Sequence, residues 1–247
     1  MLTGILAGET PEELIAGSRH AASEGAQGIA ISLAHLRPEH RNCEALSTVF
    51  EAVNLPFMVY FYRHDPWQGL EDEPRQQLLL AAASAGAAMI DVMGDLYDPS
   101  PLEITHNDAA IGRQQQLIAE IHRRGARVVM SSHMPCARTA EQVLHHLQEL
   151  KSRGPDVVKI VTGVNTPQEL AEAVRTTLLL REELKSPFIH LCDGTFSRPH
   201  RFLCPAIGTS IVFGVSHSEP RYGFKQPTLR ALNGVLDYMH WHIDQVA

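Results

Sequence analysis

Short apolar runs rich in β-branched residues alternate along the whole chain with longer stretches whose apolar positions fall three and four apart. The first kind predicts strands, the second amphipathic helices. Strands are expected at "LTGILAG" (2–8), "GIAISLA" (28–34), "PFMVYFYR" (56–63) and "MIDVMGD" (89–95). Four more are expected at "RVVMSSH" (127–133), "VVKIVTG" (157–163), "PFIHLCD" (187–193) and "TSIVFGV" (209–215). Helix signals fill the gaps. Thr166 precedes Pro167 with Glu169 three residues on, a capping box, and Gly125 and Gly154 follow basic last turns.

Eight strand–helix units, recurring about every 30 residues, are the pattern of a (β/α)8 TIM barrel of ~250 residues. The 247 residues contain no linker and no low-complexity tract, so residues 1–247 are read as one barrel domain of the α/β class. A doubly wound open sheet would normally carry a Gly-rich phosphate turn after an early strand, and "AGETPEE" is not one.

In such barrels, chemistry gathers at the C-terminal strand ends. The polar residues that interrupt the apolar strands there are Arg63, Asp91, Asp95, His133, Lys159 and the segment after Asp193. Lys159 stands among Val157, Val158, Ile160 and Val161. A barrel interior solvates an ammonium poorly, which favours the neutral amine that attacks ketones to form imines. The plain structural reading is an ion pair with Asp91 or Asp95. His133 ends the preceding strand, and adjacent parallel strands lie about 4.8 Å apart, so the two can share a pocket. A histidine beside an imine can move a proton from the adjacent carbon to a leaving oxygen, although a lone histidine often only caps a strand. Arg63 and Arg198 bring guanidinium forks to the barrel mouth, suited to a carboxylate or to a surface ion pair.

Composition narrows the classes further. Net charge is −7 with no basic block, which argues against nucleic acid or an anionic membrane as partner. The start, "MLTGILAGETPEEL", shows no leader or membrane-span pattern. Four scattered cysteines without CxxC spacing read as reduced thiols, and a cytoplasmic location is expected. Fourteen histidines raise a metal reading at "HLC", "HH" and "HWH", but none has a usual ligand spacing. His145 and His146 are expected to face outward, since Val143, Leu144 and Leu147 mark the inner side of their helix. A site without metal or cofactor is the expectation.

"VVMSSH" followed by "DVVKIV" resembles type I 3-dehydroquinate dehydratase, a Schiff-base (β/α)8 lyase. The family's "S-x-H" on strand five becomes Ser131, Ser132 and His133, and its "D-x-x-K-I" on strand six becomes Asp156, Lys159 and Ile160. Its arginine after strand three matches Arg63, and its Gly–Ser–Arg segment matches Gly194, Ser197 and Arg198. Gln226 is the candidate for its late-loop glutamine. The resemblance implies a carboxylated cyclic β-hydroxy ketone as partner, Lys159 as imine nucleophile and His133 as acid/base. Arg198 would hold the carboxylate with Ser197 in the same segment, and Arg63 and Gln226 would bind ring hydroxyls. A homodimer is the expected assembly.

The departures concern the pocket. The strand-two "E-x-R-x-D" is replaced by Ala30, Ser32 and Ala34, and the strand-four glutamate that supports the histidine falls on Met93. Asp95 keeps the same strand face and is the expected substitute. The loop "SHSEPRYGFKQP" is longer than the family's. Two other functions therefore stand beside dehydration: aldol cleavage or elimination on another keto acid or sugar, and a ligand-binding barrel without activity.

Overall fold

The computed structural model describes residues 1–217 and 226–245. Eight strands alternate with eight helices. They are β1 (Leu2–Leu6), α1 (Pro11–Ser23), β2 (Gly28–Ser32), α2 (Cys43–Phe50), β3 (Phe57–Tyr60), α3 (Asp72–Ser84), β4 (Met89–Met93) and α4 (Asp108–Arg123). They continue as β5 (Arg127–His133), α5 (Ala140–Lys151), β6 (Val157–Gly163), α6 (Pro167–Glu183), β7 (Phe188–Asp193), α7 (Ser197–Leu203), β8 (Val212–Gly214) and α8 (Leu229–Met239). All neighbouring strands are parallel, in the order β7-β6-β5-β4-β3-β2-β1-β8. β7 and β8 end the ladder. Their junction is carried by Ser210, whose N–H donates to the Phe188 carbonyl at 2.9 Å and whose Oγ accepts from Phe188 N–H at 3.3 Å. The result is a nearly closed (β/α)8 barrel.

The expected strands all exist, several in shorter form. β3 ends at Tyr60, where its ladder with Ser32 of β2 ends, so Arg63 lies in the following loop. β8 keeps only three residues of the expected seven. Apolar residues on both strand faces, such as Ile29, Ile31, Val128 and Ile160, are fully buried, as expected of parallel strands covered by helices. The helix punctuation has its physical effect. Thr166 and Glu169 form the capping box of α6, and Gly125 and Gly154 take positive φ of 86° and 95° in the turns that follow α4 and α5. None of the described helices is long and apolar enough to cross a membrane.

The turn after β4 matters most for the site. Gly94 follows the strand, and its carbonyl accepts from Arg153 Nη1 at 2.5 Å and from Gln114 Nε2 at 3.2 Å. Arg153 also reaches the Thr105 carbonyl at 2.7 Å, and Gln114 the Leu96 carbonyl at 2.9 Å. Two buried side chains from the α5 and α4 regions thus brace a long loop of irregular backbone, satisfying carbonyls that have no ladder partner. The loop turns through Tyr97 and Glu103, both at positive φ (73° and 49°).

Candidate active site

Lys159 and Ser131 are direct register partners on β6 and β5. The lysine is 6% exposed. Its Nζ donates to the Tyr62 hydroxyl at 2.5 Å and to Asp91 Oδ2 at 3.1 Å. Tyr62 in turn donates to the same Asp91 oxygen at 2.7 Å, and Ser131 Oγ donates to the other at 2.5 Å. The carboxylate is fully buried, so each of these charge-assisted bonds stabilises an ion that would otherwise be costly to hold there. Nζ also lies 5.2 Å from the Tyr62 ring centre and 5.6 Å from that of Phe213. Of the two carboxylates considered for the ion pair, Asp91 is the partner.

His133 closes β5 and is half-buried. Its ring meets the Tyr62 ring edge-to-face at 4.7 Å, so one tyrosine touches both the lysine and the histidine. The carboxylate on His133 is Glu103, not Asp95. Glu103 Oε2 lies 2.9 Å from Nδ1 and accepts from the His133 backbone N–H at 2.8 Å. An ionised carboxylate only accepts, so Nδ1 carries the proton and Nε2 the basic lone pair. Glu103 is held by its own backbone: its carbonyl accepts from Ser132 Oγ at 2.6 Å and its N–H donates to the Ser100 carbonyl at 3.1 Å.

Asp95 does not reach His133 and is engaged elsewhere. Its side chain faces Arg63, whose Nη1 donates to both carboxylate oxygens at 2.9 Å, and Asp95 Oδ2 accepts from Ser100 N–H at 2.8 Å. It therefore pins the turn that presents Glu103. Arg63 donates further to Asp72 through Nε and Nη2, each at 3.2 Å. Its fork is occupied by protein carboxylates, which departs from the expected contact with a substrate hydroxyl.

The segment after β7 also differs from expectation in part. Ser197 is buried and turns its hydroxyl to the Gly194 carbonyl at 2.7 Å, closing the loop that Gly194 opens at φ 107°. Arg198 is exposed in the first turn of α7. The buried cation is Arg201, which donates to the Cys192 carbonyl at 2.8 Å and to Gln226 Oε1 at 2.9 Å. Gln226 thus does come to this side of the mouth. Residues 218–225 of the long loop lie outside the described residues.

On the outer face of β7, His190 and Cys192 meet His200 of α7, their ligand atoms within 4.8 Å of one another. Threonine hydroxyls already engage them. Thr177 Oγ1 lies 2.9 Å from both His190 Nδ1 and His200 Nε2, and Thr162 Oγ1 lies 3.2 Å from His190 Nε2 and 3.8 Å from Cys192 Sγ. Burial drives both histidines to the neutral form, His200 down to about 3, and pushes the Cys192 thiol up to about 12. The group is a hydrogen-bonded buried cluster between sheet and helices. His146 corrects a further expectation: it faces inward, with Nε2 2.8 Å from Ser132 Oγ, and burial lowers its pKa to about 4.

Sequence reasoning missed Tyr62 and Glu103. Tyrosine in "FMVYFYR" reads as ordinary strand composition, and only the fold brings its hydroxyl to Lys159. Glu103 sits in "DPSPLEITHND", where no periodicity exists to assign a direction. Its one signal is that it is the sole glutamate in a Pro/Ser/Asp-rich loop after an active-site strand.

Comparison with known proteins closes the assignment. A family model described as Type I 3-dehydroquinase matches residues 5–242. The 3-dehydroquinate dehydratase of Klebsiella pneumoniae subsp. pneumoniae is 23% identical over 242 residues, covering 95% of this chain and 91% of that protein. That of Alkaliphilus oremlandii is 24% identical over 143 residues, covering 57% of this chain and 54% of its own. Among solved structures, the Geobacillus kaustophilus 3-dehydroquinate dehydratase superposes with TM-score 0.81 at 14% identity, covering 96% and 90% of the two chains. The Clostridium difficile type I enzyme, solved with covalently modified comenic acid, gives 0.80 at 16%, covering 97% and 92%. The chain belongs to the type I 3-dehydroquinase family, a family of dehydrating lyases.

Proposed function

We propose that the protein dehydrates 3-dehydroquinate, or a close carboxylated β-hydroxy ketone, through an imine on Lys159 with His133 as acid and base. One observation carries this reading: Tyr62 touches both groups, its hydroxyl on Nζ and its ring on the imidazole, so amine and histidine flank a single point at the C-terminal strand ends. The amine attacks the ketone carbon. Loss of the carbonyl oxygen as water leaves an iminium that draws electrons from the adjacent C–H bond. His133 Nε2 removes that proton, and the same proton leaves with the β-hydroxyl as water. A water molecule then hydrolyses the imine to release the enone and restore Lys159. Glu103 on Nδ1 keeps the imidazole in the tautomer this needs and stabilises its cation. Arg198, exposed at the mouth, is the cation assigned to the substrate carboxylate.

Borohydride added with 3-dehydroquinate is expected to fix a covalent adduct on Lys159, and Lys159→Ala to give none. A rise in absorbance from the conjugated enone would accompany turnover. Wild-type protein that yields neither adduct nor enone would refute the reading. A second function, aldol cleavage or elimination on another keto acid, is favoured by Ala30 and Met93, which offer no hydrogen bond where the family places carboxylates, and by the commitment of Arg63 to Asp95 and Asp72. An adduct without the enone, accompanied by a smaller carbonyl product in the mass spectrum, would select it.

A further inference from the structure

We infer that Tyr62 is a catalytic residue of imine formation, a phenol that relays a proton between Lys159 and Asp91 and returns it to the departing carbonyl oxygen. The inference rests on the imine reading above and assigns a role that neither the matched motifs nor the strand pattern contains.

The chemistry requires protons to move from nitrogen to oxygen. When an ammonium and a ketone become an iminium and water, two of the three protons on nitrogen must travel to oxygen, while one stays. The ammonium cannot attack until it has lost the first. Two hydrogen bonds in series, Nζ to Tyr62 hydroxyl at 2.5 Å and Tyr62 hydroxyl to Asp91 Oδ2 at 2.7 Å, run in the direction that this loss needs. The direct contact from Nζ to Asp91 is longer, at 3.1 Å. A proton passes from nitrogen to the phenol oxygen as the phenol's own proton passes to Asp91. The result is a neutral amine and a neutral carboxylic acid, with tyrosine unchanged. The lone pair of the amine then forms the C–N bond as the carbonyl π electrons move to oxygen. Within this adduct a second nitrogen proton passes to that oxygen, giving the carbinolamine hydroxyl. The proton stored on Asp91 returns through Tyr62 to the hydroxyl, the C–O bond breaks, water departs and Asp91 is again a carboxylate beside the iminium. No other reagent enters the balance.

The surroundings fit a relay rather than a resident phenolate. Burial and the Asp91 charge hold the Tyr62 hydroxyl in its protonated form. Ser131 occupies the other carboxylate oxygen, which leaves Oδ2 as the one that exchanges the proton. The ring is fixed against Tyr60 at 5.0 Å and against His133 at 4.7 Å, so the hydroxyl does not have to be found by rotation during the step.

The test measures how fast the adduct on Lys159 forms, by mixing protein with 3-dehydroquinate, quenching with borohydride at increasing times and weighing the intact chain. Tyr62→Phe keeps the ring and removes only the hydroxyl. It should form the same adduct about 10²-fold more slowly, the usual contribution of a positioned proton donor, with an unchanged far-ultraviolet spectrum. Asp91→Asn removes the proton acceptor and should slow the same step. In the unmodified protein, adduct formation should be slower in D2O than in H2O, a readout that does not depend on any variant folding. Adduct formation by Tyr62→Phe at the wild-type rate, or equal rates in the two solvents, would overturn the relay while leaving the imine intact. Absence of any adduct in the wild type would instead overturn the imine reading and the relay with it.

Discussion

Glu103 is the residue whose role can be isolated most cleanly. It orders His133 through two contacts and has none to Lys159 among the described residues, so the two halves of the reaction should separate. Glu103→Gln is expected to trap the Lys159 adduct at the normal rate while turnover falls about 10²-fold, within the range attributed to a properly set acid/base group. A drop in adduct formation of the same size would mean that Glu103 holds the whole pocket. At this scale the sequence was informative where a polar residue broke an apolar strand. Lys159 and His133 stood out that way, and the structure brings both against Tyr62. Arg198 and Arg63 could not be resolved, because a guanidinium at a loop end looks the same whether it meets substrate, solvent or Asp95.

The elements were legible from their periods, and their ends less so. Every expected strand formed, because a buried parallel strand needs an unbroken apolar run and few other segments supply one. The strand lengths depend instead on where neighbours stop pairing, which is a long-range property, so β3 and β8 came out shorter than their apolar runs. The post-β4 loop shows the same limit. Its order comes from Arg153 and Gln114, contributed by two distant helical regions, and from a close approach at Gly94. A Cβ there would stand 2.6 Å from the Glu103 carbonyl oxygen and 2.7 Å from Leu150 Cδ2. Gly94→Ala should therefore lower stability by about 1–3 kcal/mol in urea melts, as overpacking does. It should also depress turnover, because the displaced group is the backbone that presents Glu103. An alanine variant as stable and active as the parent would show that the loop yields freely.

For the molecule as a whole, three buried histidines contribute to the response to acid. His146 and His200 are neutral in the folded protein, with pKa values lowered to about 4 and about 3 by burial, and His190 is lowered too. In the unfolded chain each would take up a proton near pH 6.5. Their contribution to stability is therefore complete above that pH. It is lost as pH falls towards the folded values, at about 1.4 kcal/mol per pH unit for each histidine. Denaturant melts between pH 7 and pH 4 should show this slope, and His146→Gln should reduce it; a stability independent of pH over that range would contradict the assignment.

The ring is also not uniform in how it can breathe. β6 is laddered to β7 over six paired positions and to β5 over five, whereas β7 and β8 meet chiefly through the backbone and hydroxyl of Ser210. Further ties across that side come from Arg201 to Gln226 and from Arg181 to Asp244. The β7–β8 junction is thus closed by loop and side-chain contacts in place of a ladder, with one strand boundary between it and Lys159 and two between it and His133. Lys159 and His133 therefore sit on the continuously laddered part of the ring, whereas Arg201 and Gln226 border the junction that single hydrogen bonds close.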